Sequence, residues 1–409
     1  MGTGPFTTFP PVLALSPGWL RLALALLFAA PAALSQTLPP SVEVSVGGKV
    51  HTDVRAFPSG PVGEAPGVLV RRARAEVEAE VSGRFRAVVE PGFGEGEVEL
   101  LDGYVEADLW ARPGAGRALA VRAGRFKTPV GYESLLSSSD LRFAERALPT
   151  ALSPRRDLGA MLRWESPRLE AQVGVFNGVP DGSSASVHWG AGPDAAARVF
   201  GRPAEAGPVR LGVGLAVSAG TASGRDGDAL AGYETPGDRT FFAYTEGVGP
   251  DGRRLRLAPQ ATLDVGRLHV LGEYIEAHHR VRRGTEAADL AHRAWQAAAS
   301  FVVGGVPRGE GRPVPRRPVT EGGAGAVEVS ARVHGLSLDG DSAPLAAAGS
   351  AQRAAAWALA VHWTPVAPVR LGVTVERTAF EGFDGDAPGG SGAVPPAETF
   401  VVGRFQIDL

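Results

Sequence analysis

Residues 68–81 read VLVRRARAEVEAEV, and this short run narrows the possible folds more than any other feature of the chain. Ala73, Ala75, Val77, Ala79 and Val81 fall on one side of an extended backbone, and Arg72, Arg74, Glu76, Glu78 and Glu80 on the other. Wound as a helix, the same residues would scatter charge over every face. The period is two, so the segment is a strand with one apolar and one ionic face. The pattern returns along the chain. Leu158, Ala160, Leu162 and Trp164 oppose Asp157, Arg163 and Glu165, and Leu169, Ala171, Val173 and Val175 oppose Arg168, Glu170 and Gln172. Similar alternation covers 101–109, 209–215, 327–334 and 369–376, while 267–279 and 289–303 alternate less cleanly.

Such strands can bury their apolar faces against each other in a sandwich, or turn them to lipid in a barrel with a wet, charged bore. Three features favour the barrel. The apolar faces are built from Ala, Val and Leu with scattered Trp. Connections alternate between short (165–168, 265–267) and long (179–193, 222–238, 304–323), as short turns at one rim and long outer loops at the other would do. The last segment, TFVVGRFQIDL at 399–409, alternates up to the final residue, Leu409. About sixteen strands fit into 41–409, a number that leaves an aqueous channel. The expected fold is all-β: a transmembrane antiparallel β-barrel of about 16 strands. Closure pairs every backbone group, as lipid demands.

Ahead of the strands lies one long apolar run, Leu20–Leu34 in LRLALALLFAAPAALSQ, with Arg21 as its one charge and too short to span a bilayer. Small residues at Ala33 and Ser35 mark a cleavage point, so 1–35 is expected to be a signal peptide and 36–409 a single barrel domain. With no cysteine, an exported chain has no disulfides to hold it, and Cys-based catalysis and iron–sulfur centres are excluded. A net charge of −3 gives no argument for nucleic acid. No cofactor or metal is expected. His278 and His279 are adjacent and so face opposite ways, and Asp226, Asp228 and Asp251 read as solvated turns.

Residues 123–159 break the strand pattern: AGRFKTPVGYESLLSSSDLRFAERALPTALSPRRDLG. A connection this long, carrying Arg142, Glu145, Arg146, Arg155 and Arg156 and anchored by Phe126, Tyr132 and Phe143, is expected to be an ordered loop that folds inward and constricts the bore. The runs GRFKTPVG, SSSDLRFAERALPTALSPRRDLG and GVFNGVPDG, in this order and spacing, resemble the phosphate-selective porin O and P family of Gram-negative outer membranes. The resemblance implies an outer-membrane porin, a homotrimer in outer-membrane lipid, and passage of small inorganic anions such as phosphate. It also makes RRAR at 71–74 a basic lining segment and 133–140 a constriction loop.

Only Lys49 and Lys127 are lysines; the other basic residues are arginines, whose forked guanidiniums hold oxyanions through paired hydrogen bonds. The expected pore-lining and anion-binding residues are Arg71, Arg72, Arg74, Arg122, Arg125, Lys127, Ser138, Ser139, Arg142, Arg146, Arg155 and Arg156. The loop itself, ESLLSSSD, lacks the family's lysines, and Glu133 and Asp140 would repel an anion. The arginines could instead pair with Glu76, Glu78, Glu80, Asp102, Glu106 and Asp108 across the wall. Two other functions stay open at this point: a lipase-like barrel enzyme, and a plugged structural or binding barrel.

Overall fold

A computed structural model of the chain describes residues 42–59, 66–184, 192–224, 230, 232–383 and 393–409. The expected signal peptide and Asp226 and Asp228 lie outside the described residues. In chain order the strands are β1 (Val42–Ser59), β2 (Gly67–Val81), β3 (Phe85–Gly92), β4 (Glu99–Arg112), β5 (Arg117–Lys127), β6 (Arg156–Glu165), β7 (Leu169–Phe176), β8 (Asp194–Ala206) and β9 (Val209–Ser223). They continue as β10 (Tyr233–Glu234), β11 (Thr240–Phe242), β12 (Val248–Val265), β13 (Leu268–Arg283), β14 (Glu286–Val303), β15 (Gly305–Arg308), β16 (Gly311–Pro315), β17 (Ala326–Ser337), β18 (Arg353–Val366), β19 (Val369–Glu381) and β20 (Glu398–Asp408). Sixteen of them form one closed antiparallel barrel in sequence order, with β10–β11 and β15–β16 as separate hairpins. The barrel closes where β20 pairs with β1, Ile407 opposite Val50 and Gly403 opposite Val54. The alternating terminal segment thus forms the seam.

The polarity of the wall is that of a soluble protein turned inside out. Val105, Val173 and Leu359 are 60%, 54% and 54% exposed, whereas Arg256 and His334 are fully buried. A sandwich would show the reverse. Aromatic residues edge the apolar band on both sides. At the rim of short turns Trp110 stacks on Trp164 at 5.6 Å, and Phe301, Trp363 and Phe405 stand nearby along their strands; toward the other rim are Tyr274, Trp295 and Trp357. Such belts mark the two interfaces of a bilayer. Where β4 and β5 approach, Gly124 has φ +132° and a Cβ there would lie 2.3 Å from the Gly103 carbonyl oxygen, so only glycine keeps this pair closed.

Two expectations are corrected by the topology. Connections in an antiparallel barrel alternate between rims. The connection 304–325, expected among the outer loops, therefore belongs to the rim of short turns, beside 166–168 and 266–267. At the long-loop rim β13 and β14 are joined by Gly284 and Thr285 alone. The weakly alternating segments 267–279 and 289–303 are β13 and β14, two of the longest strands. Their inward faces carry Leu271, Ile275, Ala277, Leu290, Ala294 and Ala298, all buried. These pack against connections lying over them, so part of the interior is apolar and the polarity contrast fades.

Candidate functional site

Residues 128–155 connect β5 to β6 with one turn of α-helix at Tyr132–Leu135 and two 3-10 turns, Ser138–Asp140 and Leu148–Leu152. Gly131 at φ +80° admits the chain to the first turn, the Ser137 hydroxyl caps the second, and Pro149 starts the third. Turns this short leave most of their carbonyls without internal donors, and the segment is largely buried. Cations supply the missing hydrogens. Lys127 Nζ donates to the carbonyls of Leu135 and Leu136 at 3.1 and 2.7 Å, and Arg146 donates to those of Glu133 and Leu136 at 3.1 and 2.8 Å. Arg370 reaches Leu141 at 2.8 Å, Arg332 reaches Glu145 at 3.1 Å, and Arg404 reaches Ala144. On the amide side, Tyr132 N–H donates to Glu273, Ala144 N–H to Thr374 at 3.1 Å and Leu148 N–H to His334 Nδ1 at 3.2 Å. These partners stand on β13, β17, β19 and β20, far from β5 and β6 in barrel order.

Glu145 is the electrostatic centre of the segment. Its carboxylate accepts from Arg71 at 2.9 Å, Arg72 at 2.8 Å and Arg404 at 2.9 Å, with Arg55 at 3.6 Å. Burial pushes the carboxyl pKa up, but Arg71, Arg72 and Arg404 outweigh it and hold the group well below the usual range. Burial, joined by the like charges of Arg155 and Arg156, brings the Arg146 guanidinium down to about 10 against the pull of Glu133. Arg146 therefore stays charged at neutral pH.

Two spaces flank the segment. One, of about 380 Å³, opens toward the short-turn side and is lined by Arg74, Arg122, Lys127, Ser138 and Arg156 among the expected residues, with Glu76, Glu90, Asp102 and Glu310. The other, of about 360 Å³, opens toward the long loops and is lined by Arg71, Arg72, Arg146 and Arg155, with Glu145, Asp181, Glu234 and Asp238. Most of the cations are paired: Arg156 with Asp102 at 2.9 and 3.0 Å, Arg122 with Glu106 at 2.8 Å, Arg74 with Glu90 at 3.6 Å. The Arg155 guanidinium has no hydrogen-bond or ion-pair partner among the described residues, and the buried Ser138 hydroxyl has none either. Unpartnered donors beside a wet cavity can take an oxyanion; the interleaved carboxylates oppose its accumulation. Among the described residues no group of His, Asp and Glu is placed to hold a metal ion.

Three expected residues line neither space. Arg125 pairs opposite Gly103 and Leu158, on the face opposite to Arg122, because an odd spacing in a strand reverses the side; its guanidinium reaches Glu99 at 2.6 Å. Arg142 is bound to Ser300 at 2.9 Å and Glu328 at 3.3 Å, and also to the Gly309 carbonyl. Ser139 donates to Asp408. Conversely, Arg71 and Arg72 are adjacent yet line one space, because the β1–β2 register shifts between His51 and Thr52 at their level. Glu133 and Asp140, expected to repel anions, are occupied: Glu133 accepts from Ala147 N–H at 2.7 Å and lies 3.6 Å from Arg332, and Asp140 accepts from Arg312 N–H at 3.1 Å. Arg332, Arg370, Arg404 and Glu145 were absent from the expected set. Alternation puts the three arginines on polar faces, but nothing in the sequence says that they meet one loop.

A family model described as phosphate-selective porin O and P matches residues 44–376. Among solved structures, the outer-membrane channel DcaP of Acinetobacter baumannii superposes with a TM-score of 0.59 at 12% identity, covering 91% of this chain and 99% of that one. The anion-selective porin from Comamonas acidovorans gives 0.54 at 14%, covering 90% and 100%. The trimer form of OmpT, an outer membrane protein of Vibrio cholerae, gives 0.51 at 12%, covering 90% and 100%. At these identities the likeness is one of fold. No curated protein matches the chain in sequence.

Proposed function

The chain belongs to the phosphate-selective porin O and P family and is an outer-membrane β-barrel, and from that premise we propose that it forms a water-filled channel through which small solutes diffuse passively, with a mild preference for anions such as phosphate. The observation that carries the channel reading is the inverted wall: aliphatic side chains outside, ionised side chains and two wet spaces inside. Segment 128–155 is the element proposed to narrow the bore, since its bonds reach inward-facing residues of β13, β17, β19 and β20.

The preference for anions rests on the lining. Around the space on the short-turn side, Lys49, Arg74, Arg122, Lys127, Arg156, Arg163 and Arg198 outnumber Glu76, Glu90, Asp102, Glu170 and Glu310. Charge rings of this kind set selectivity, and a mixed ring sets it weakly. A homotrimer is proposed by analogy with the trimeric OmpT form, and removal of residues 1–35 on export completes the reading.

A second reading has its own support. Leu148, Leu152, Phe241, Phe242, Ile275 and Ala294 share one buried cluster inside the wall, which suits a plugged, ligand-binding barrel. Planar-bilayer recording separates the two. Stepwise conductance with a reversal potential displaced modestly toward the anion is expected. Cation preference overturns the anion assignment, and absence of conductance overturns the channel and leaves the plugged barrel.

A further inference from the structure

The outward faces of β12, β13 and β14 change character beyond the aromatic level at the long-loop rim. Tyr274 and Trp295 are register partners, and one step further out Glu276 faces Arg293; then Arg280 faces Asp289. Along this stretch Arg280, Arg282 and Arg293 are 43%, 47% and 58% exposed at their side chains. The exposed Arg253 stands beside them on β12 and has no acidic partner among the described residues. The acids are shared: Asp251 serves Arg282 at 2.7 Å and Arg280 at 3.9 Å, while Glu276 serves His278 at 2.9 Å and Arg293 at 3.4 Å. Among the described residues, four guanidiniums therefore face three carboxylates.

We propose that this face is a docking surface for the phosphorylated headgroup of a glycolipid in the outer leaflet. The position argues for a lipid. The patch begins directly above an interfacial Tyr–Trp pair, and on β12 the exposed Leu255 and Leu257 stand level with its lower half, so a lipid whose chains lie on Trp295 and these leucines would bring its headgroup to Arg253 and Arg280. The chemistry argues for phosphate. Guanidinium forks bind phosphate oxygens in pairs, and an exposed arginine with an unshared charge is ready to do so. The inference rests on the outer-membrane placement and is independent of whether the barrel conducts.

The full chain is reconstituted in phosphatidylcholine nanodiscs containing a bis-phosphorylated diglucosamine lipid or its dephosphorylated form, and the lipid retained after extraction is measured by mass spectrometry. Wild type should retain the phosphorylated form selectively. Arg253→Gln, which breaks no ion pair among the described residues, should lower retention about fivefold, and the triple variant R253Q/R280Q/R293Q further, with bilayer conductance unchanged. Arg353→Gln at the same rim, whose arginine has its own partner Glu381 at 3.3 Å, should behave as wild type. Equal retention of the two lipids, or wild-type retention by R253Q, overturns the proposal. So does displacement of the lipid by inorganic phosphate, which would make the patch an ion site.

Discussion

Glu145 shows how one side chain can hold an irregular segment against a barrel wall. Its charge is matched by Arg72, which has no other acid within reach among the described residues, while Arg71 and Arg404 keep Glu95 and Asp53 as second partners. Removing the charge should therefore strand mainly Arg72. We expect Glu145→Gln to destabilise the folded barrel by about 3 kcal/mol, the cost of breaking one buried pair, measured by denaturant unfolding in detergent. The pH dependence follows from the direction of the shift. A carboxyl held below its ordinary value contributes stability that is complete above that ordinary value of 4.5 and is lost as pH falls through the depressed folded value. The difference between wild type and Glu145→Gln should thus be flat from pH 8 to about 5 and shrink only in stronger acid. Arg155 tests the anion preference more directly than the paired cations. Arg155→Ala should move the reversal potential toward the cation while leaving thermal stability within about 0.5 kcal/mol, since the side chain bonds to nothing described.

At the scale of elements, the unusual piece is the β15–β16 hairpin at the short-turn rim. Arg312 donates from its backbone to Asp140 and ion-pairs with Asp408, and the Gly309 carbonyl accepts from Arg142. Glu310 stands in the lining of the larger space and accepts from Arg202 at 3.4 Å. The hairpin of the short-turn rim thus bonds to the segment that joins β5 to β6 at the other rim. Replacing residues 305–315 by a short Gly-containing turn should raise single-channel conductance and loosen the 138–142 region, seen as faster hydrogen exchange at those amides. Unchanged conductance would mean that the hairpin lies outside the conducting path. This element was readable in the sequence only as a long connection. Its rim was misassigned, because length was the sole cue and the parity of strands before it was uncertain.

For the whole molecule, the controlling quantity is the sign of the wall. Val173 points outward and Gln172 lines the inner space, one residue apart on β7. Val173→Arg should cost about 2–4 kcal/mol if its level is near the bilayer midplane, whereas Gln172→Arg should be tolerated, both measured by folding into lipid vesicles. Equal costs would contradict the lipid-facing assignment.

The alternation at 68–81, 158–164 and 369–376 determined without help that the chain is built of two-faced strands, and the count of about sixteen of them pointed to a closed barrel. Those features are local: side-chain direction follows from residue parity alone. The same parity, taken strictly, would have separated Arg71 from Arg72 and placed Arg125 away from Arg122. A register shift undid the first, and the second was missed. Only the tertiary structure decided which cations meet carboxylates, which meet the carbonyls of 128–155, and which, like Arg155, meet none. The reason is physical. An arginine's partner is whatever acceptor the closed wall brings across the bore, and that acceptor is many strands away in sequence.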